Sequence, residues 1–496
     1  MKVKTVVVSC VAGMFLSAAG AMAIPTPGPK LPTPSDAVVA ASKAVEPAHF
    51  TSGDTLALDA RLGHAALGHG GTGETFVLAT VTGAESSAAS APPLNLALVI
   101  DRSGSMKGER IARAIDAAVG IVERMREDDS VTVVSFDDHA EIVVPPSRPR
   151  VSARPSIEAA IRAIRLGGDT CISCGLEEAM SQISVTSLAR EHVDRMILLS
   201  DGEANRGIRD VTGLRALAAH MRDRGCSIST IGVDVDFDEK VMAAIASESN
   251  GRHYFVENAS SLPAIFEKEF DSLLATVARD GELEVELAPG VEVEKVFDRP
   301  FQREGASVKV PFGTFAAKQE KTVLMKLRVP IDRDGVVPVV QLKLGYRDLV
   351  RDTDGGCAGN LALLVTDDSA ASESLDPFVA ARLSRSETAE TLTSANALFA
   401  EGRAGEARSV VERHKSEVTR SFATAHAAAR ALPTTAPAKV AGLDFDFRRQ
   451  MSALDLAGAG FAPPPASAAG AAPAEATHAG KASVRTNQEA ATTMGF

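Results

Sequence analysis

Leu94-Asn95-Leu96-Ala97-Leu98-Val99-Ile100-Asp101-Arg102-Ser103-Gly104-Ser105-Met106 is the stretch that decides the fold. Its first seven residues carry one polar side chain and show no alternation, as in a strand covered on both faces. The run then stops on an acid followed by small polar residues. Downstream, Ile111, Ala114, Ile115, Ala118, Val119, Val122 and Met125 recur at helical spacing. Residues 131–136 and 140–144 predict a strand pair around Asp137-Asp138, and 196–199 and 227–233 predict further buried strands. Residues 214–221, 239–245 and 262–274 supply helices between and after them. Strand–helix alternation of this kind predicts an α/β domain over 94–276 with a doubly wound, mostly parallel sheet.

Outward from that domain the period changes to two. Leu56, Leu58, Ala60 and Leu62 alternate, and 75–82 is rich in β-formers. After the α/β domain, Leu283, Val285 and Leu287 alternate with Glu282, Glu284 and Glu286. Val323, Met325, Leu327 and Val329 repeat the pattern, as do Val340, Leu342, Leu344 and Tyr346, and 361–365 closes the set. Two strands alone are marginal. The strands of 51–90 are therefore expected to pair with those of 278–366 in an antiparallel β-sandwich, with the α/β domain inserted in it or flanked by it. Asp376-Pro377 marks a helix start. A helical region follows over 373–460, interrupted at Gly402 and Gly405, and the Ala/Pro-rich 461–496 is expected to be a disordered tail.

Lys2 and Lys4, an apolar run over 6–19 and Ala21-Met22-Ala23 have the layout of a secretory signal peptide over 1–23. A Pro/Ala-rich linker over 24–50 comes next. No later stretch is long and apolar enough to span a membrane, so an exported protein is expected, in the periplasm, at the cell surface or secreted. The 52 Lys plus Arg against 64 Asp plus Glu give a net charge of −12, which becomes −14 once Lys2 and Lys4 leave with the leader. That balance argues against nucleic acid as a partner, since nucleic-acid binding needs a basic face. The absence of Trp and a count of two Tyr leave little for stacking on bases or sugars.

The acid at the end of the first strand is one of several candidates at strand ends, where ligand sites of open α/β sheets lie. Asp101-Arg102-Ser103-Gly104-Ser105 offers an acid and two alternating hydroxyls, Gly167-Gly168-Asp169-Thr170 a loop hydroxyl, and Ser200-Asp201-Gly202 a second acid. With these five positions in order inside an α/β pattern, the chain resembles the von Willebrand factor type A family. The D-x-S-x-S…T…D pattern of that family forms a metal-ion-dependent adhesion site. The resemblance covers about 94–276. It implies that Asp101, Ser103, Ser105, Thr170 and Asp201 hold a divalent cation, Mg²⁺ first, with Mn²⁺ or Ca²⁺ as alternatives. Hard oxygen donors suit these ions. It implies further that the hydroxyls bind directly, that the two acids often act through water, and that a partner's Asp or Glu carboxylate completes the shell.

Cys171 and Cys174 follow Thr170 at once. A C-x-x-C at a helix start has a redox reading, but after export a local disulfide is the plainer one. Cys226 and Cys357 could pair or stay free. Asp332-Arg333-Asp334-Gly335 and Asp352-Thr353-Asp354-Gly355 open like calcium loops, yet Lys343 and Leu363 stand where the closing Glu would fall, so hairpin turns are expected. His64 and His69 have no ligand companions in sequence. No G-x-S-x-G, P-loop or H-E-x-x-H is present. The sequence thus points to an exported, metal-dependent protein-binding module rather than an enzyme. The alternatives are a thiol–disulfide oxidoreductase, a metal-dependent hydrolase and a structural scaffold of the envelope.

Overall fold

The structure is a computed structural model that describes residues 48–85, 92–186, 192–235, 237–367, 375–431, 437–461, 473 and 477–495. The leader over 1–23 and most of the linker over 24–50 lie outside the described residues. The chain first lays down β1 (His49–Ser52), β2 (Leu56–Leu62), β3 (Ala66–Gly68) and β4 (Thr72–Gly83). The α/β domain follows as β5 (Leu94–Asp101), α1 (Glu109–Arg124), β6 (Ser130–Phe136), β7 (Ala140–Ser147), α2 (Arg154–Arg162) and α3 (Ile172–Thr186). It continues through β8 (Val193–Ser200), α4 (Val211–Asp223), β9 (Ser227–Val233), α5 (Glu239–Glu248), β10 (His253–Val256) and α6 (Leu262–Leu274). The β-pattern then resumes as β11 (Thr276–Leu287), β12 (Glu292–Phe297), β13 (Gln302–Glu304), β14 (Ser307–Ala316), β15 (Glu320–Pro330), β16 (Gly335–Asp348) and β17 (Thr353–Thr366).

The two β segments build one sandwich. One sheet runs β1-β2-β4-β15-β12 and the other β13-β14-β11-β16-β17-β3. β15 pairs antiparallel with β4 along its whole length, Leu324 opposite Leu78, so strands from before and after the insertion share a sheet. The alternation seen in sequence is the inward face: Leu56, Leu58, Ala60 and Leu62 pack against Leu283, Val285, Leu342 and Leu344. A Cβ on Gly83 would stand 2.4 Å from the Ala316 carbonyl and 3.2 Å from Val277 Cγ2. The chain therefore leaves the sandwich and re-enters it at one corner, and the α/β domain is an insertion. Of the two acidic loops singled out in sequence, 352–355 turns β16 into its hydrogen-bonded neighbour β17 as a hairpin, whereas 332–335 carries the chain from β15 in one sheet to β16 in the other, so the hairpin expected there does not form.

Within the insertion the strand order is β10-β9-β8-β5-β6-β7, parallel throughout except for β7. All eight residues of β5 are buried. Leu96, Leu98 and Ile100 face a layer that includes Ala114, Val122, Ile161 and Phe266, from α1, α2 and α6. Ala97 and Val99 face Leu176, Leu214 and Met242, from α3, α4 and α5. Gly175 lets α3 sit close, since a Cβ there would lie 2.7 Å from the Phe136 ring and 2.9 Å from Val99.

Among the described residues, four helices follow the sandwich: α7 (Pro377–Ala400), α8 (Ala404–Ala431), α9 (Pro437–Gly460) and α10 (His478–Gly495). Asp376 caps α7 by accepting from the N–H groups of Phe378 (2.9 Å) and Val379 (3.1 Å). Phe399, Phe447 and Phe461 centre the helical core. Val379 of α7 meets Leu78, Phe297 and Leu324 on the outer face of the five-stranded sheet. The tail expectation is corrected by α10, while 462–472 lies outside the described residues. Its sequence holds only Val484 and Met494 as large apolar residues, which reads as a polar tail. It packs instead by burying small residues, Gly480, Ala482 and Ala491, and by bonding Asn487 to Asn396 Oδ1 (3.0 Å).

Candidate metal centre

β5 lies between β8 and β6, and the chain departs from it toward β6 before returning to add β8 on the other side. That reversal opens a crevice at the carboxyl ends of β5 and β8. Asp101 is the last residue of β5 and Asp201 follows the last residue of β8. Asp101 is 0% exposed. Its Oδ1 accepts from the Ser103 N–H at 2.8 Å and its Oδ2 from Ser200 Oγ at 2.5 Å. Ser103 Oγ and Ser105 Oγ are 2.9 Å apart, and Ser105 Oγ donates to Asp201 Oδ1 at 2.7 Å. The hydroxyls thus link the two carboxylates.

Thr170 arrives from a different loop. The Gly104 N–H donates to the Gly168 carbonyl at 3.0 Å and the Gly167 N–H to the Arg102 carbonyl at 2.7 Å, tying the two loops together. Asn205 holds Thr170 from the third side: its Oδ1 accepts from the Thr170 N–H at 2.8 Å, and its own N–H donates to the Thr170 carbonyl at 3.0 Å. Ser105 Oγ and Thr170 Oγ1 each lie 3.4 Å from where a Cβ on Gly202 would stand. All five residues singled out in sequence therefore share one site. Cys171 and Cys174 are joined by a disulfide in the first turn of α3, directly after Thr170. Cys226, just before β9, and Cys357, within β17, are both free.

Charge in this crevice is costly. Burial pushes the Asp101 carboxyl up to about 6, with Asp201 nearby adding to the rise against the hydrogen bonds from Ser200 and Ser103. Burial likewise raises Asp201, against Ser105 and Arg110. Two buried carboxylates with three neutral hydroxyls form a hard-oxygen set that a divalent cation would neutralise, and Ser105 leaves the set open to solvent. The residues present fit such an ion.

Besides Asn205, three contributors escaped the sequence reading. Arg110, on the first turn of α1, donates to Asp201 Oδ2 at 2.6 Å and to the Ser105 carbonyl at 2.9 Å, and its other Nη bonds Asp234. His478, at the start of α10, stands 3.4 Å from Asp234 Oδ1. The only sequence signal for Arg110 is its place just after the motif; for Asp234 it is a strand end, and for His478 there is none. Ser105, Lys107, Arg110, Asp234, Glu257 and His478 line a cavity of ≈ 800 Å³ beside the centre. Asp137, Asp138 and His139 also cluster, on the β6–β7 turn, but Arg102 pairs with Asp137 at 3.1 Å.

Comparison with known proteins fits this geometry to a family. The family model for the von Willebrand factor type A domain matches residues 95–268. The chain carries that domain. An uncharacterised protein of Synechocystis is 29% identical over 266 residues, covering 52% of this chain and 62% of its own. The uncharacterised protein YfbK of Escherichia coli is 30% identical over 200 residues, 40% of this chain and 34% of its own. The match thus spans less than two thirds of either relative. Among solved structures, a von Willebrand factor type A protein from Catenulispora acidiphila superposes with a TM-score of 0.62 at 17% identity, over 75% of this chain and 91% of that one. The ArnB paralog VWA2 from Sulfolobus acidocaldarius gives 0.54 at 16% identity, over 81% and 98%. Such coverage extends beyond the type A domain, so the shared fold includes its surroundings.

Proposed function

We propose that this chain is an exported protein-binding module. In this reading Asp101, Ser103, Ser105, Thr170 and Asp201 hold a divalent cation, Mg²⁺ first, and a partner presents an Asp or Glu carboxylate to it. The observation that carries the reading is the convergence of these five residues, from three separate loops, at a crevice open on the Ser105 side. Bound there, the cation supplies a concentrated positive charge that favours an anionic oxygen from outside. Ser103, Ser105 and Thr170 offer neutral oxygens, which leave that charge largely uncompensated. Asp101 and Asp201, anchored by Ser200, Ser103 and Arg110, orient the hydroxyls and any bridging water.

The reading includes no catalytic step. Asp101 and Asp201 are assigned to the cation, and Asp234 of the adjoining cavity is paired with Arg110, so the reading gives neither the part of a general base. The Cys171–Cys174 disulfide is assigned a bracing role: Cys171 is buried, and a Cβ on Gly207 of the loop that carries Asn205 would come within 2.6 Å of its Sγ. Export rests on the leader-like 1–23, and among the described residues no helix is long and apolar enough to cross a membrane. The test is titration with Mg²⁺ by calorimetry. Asp101→Ala and Ser103→Ala should abolish binding and, with it, EDTA-sensitive capture of a partner from an envelope extract. Unchanged Mg²⁺ affinity in both variants would overturn the assignment.

A further inference from the structure

Where β8 and β9 of the type A domain meet β14 and β15 of the sandwich, positive charge is buried beyond its carboxylate complement. Lys321 is 2% exposed and Arg195 4%. Lys321 Nζ donates to the Phe312 carbonyl at 2.8 Å and rests 5.1 Å from the centre of the Phe315 ring. Arg195 bonds the Asp194 carbonyl at 2.9 Å and the Thr314 hydroxyl. Among the described residues, neither cation has a carboxylate at ion-pair distance. The buried acid of the cluster, Glu269, is already taken: Ser229 Oγ donates to it at 2.5 Å, Tyr254 OH at 2.6 Å, and Arg252 stands 3.7 Å away.

These side chains line a small, partly open cavity of ≈ 30 Å³. Asn250 lines it at 7% exposure, and neither its Oδ1 nor its Nδ2 has a hydrogen-bond partner. A buried amide with both ends unpaired, beside a buried ammonium with donors to spare, is a strongly disfavoured arrangement unless something fills the space. The space admits water-sized occupants, and a monatomic anion is the smallest ligand that would answer the buried positive charge.

We propose that this cavity is a halide site, holding one chloride and one water between the type A domain and the sandwich. Lys321 Nζ and Asn250 Nδ2 donate to the anion, with the Arg195 guanidinium supplying field, and the water donates to Asn250 Oδ1. Burial, with Arg299, Arg195 and Arg252 near, pushes the Lys321 ammonium well below its ordinary range, and an anion in the cavity reverses that pressure. The ligand would act as an ionic rivet: it binds the folded junction and not the separated surfaces, so it stabilises the folded chain by mass action.

Two measurements on the full chain test this. Crystals soaked in sodium bromide should show an anomalous peak in hydrogen-bond reach of Lys321 Nζ and Asn250. Thermal unfolding in sodium chloride should have a midpoint a few degrees above that in sodium gluconate at equal ionic strength, and Lys321→Met should erase the difference. Water density alone in the bromide soak, equal wild-type midpoints in the two salts, or an undiminished chloride shift in Lys321→Met would each overturn the proposal. Should Lys321→Met fail to fold, Asn250→Asp keeps a residue type suited to the left-handed backbone there (φ 61°) and adds negative charge. It should lose the bromide peak, and persistence of the peak would count against the site.

Discussion

At the scale of single residues, Arg110 is the side chain that most alters the view of the proposed metal centre. It places a fixed monovalent cation on Asp201, the carboxylate that a divalent ion would share. Arg110→Gln removes that competitor and leaves Asp201 bonded to Ser105, so Mg²⁺ affinity should rise on the order of tenfold, about 1.4 kcal/mol, in a calorimetric titration. A fall in affinity would mean that the guanidinium holds Asp201 in place rather than competing for it. The five motif residues were legible because they sit at or just after strand ends or just before a helix, where local pattern fixes position. Arg110 was not, because its role depends on Asp234, far along the chain and adjacent only through the sheet.

His253 makes a second residue-level case. Its Nδ1 lies 2.9 Å from Thr230 Oγ1, its Nε2 has no partner, and burial pushes the imidazole down to about 3. The folded protein keeps it neutral, whereas the unfolded chain takes up a proton below about pH 6.5. Between those values the unfolded state binds more protons, so stability is lost as pH falls from about 6.5 toward 3, by at most about 1.4 kcal/mol per pH unit from this group. Urea unfolding at pH 7 and pH 5 should show that loss in the wild type and a smaller one in His253→Gln. Parallel losses in both proteins would remove His253 from the account.

Among the elements, α7 and α10 show where local signals suffice and where they do not. Asp376-Pro377 announced α7 because a cap and a first-turn proline act within one turn. α10 gave no such signal, since a helix rich in Ala, Thr and Gly buries small surfaces that count for little until a partner helix is beside it. Its anchor on the type A domain is Arg485, which pairs with Glu239 at 2.7 Å and bonds the Phe237 carbonyl at 2.7 Å. Burial pushes the Glu239 carboxyl up, and Arg485 is the first of the groups that oppose it. Arg485→Ala strands that acid, so the variant should lose about 2–3 kcal/mol in chemical unfolding, and Glu239→Gln in the same background should restore part of it. No recovery in the double variant would show that the loss came from stacking of the Arg485 guanidinium on the Phe237 ring instead.

For the whole molecule, the telling feature is that one sandwich is written in two pieces of sequence with a domain between them. The alternating patterns on either side were legible separately, and their union followed because the two strands of the first piece could not bury an inner face alone. Pairing partners such as Leu78 and Leu324 were not legible, because register is set by the closed sheet and not by either strand. The shared corner at Gly83, Val277 and Ala316 makes the insertion separable. Replacing residues 85–275 with a short Gly/Ser linker should therefore leave a sandwich with its helices that unfolds cooperatively. Its midpoint should be lower than that of the full chain, because α10 loses its contacts with α5 and β10. The excision also returns Lys321 to water, so the shortened chain does not inherit a buried ammonium without its surroundings. Circular dichroism should show retained β-signal with a single thermal transition. A broad, non-cooperative melt would mean instead that the sandwich depends on the type A domain to align its two halves, and that insertion here is a folding requirement rather than an addition.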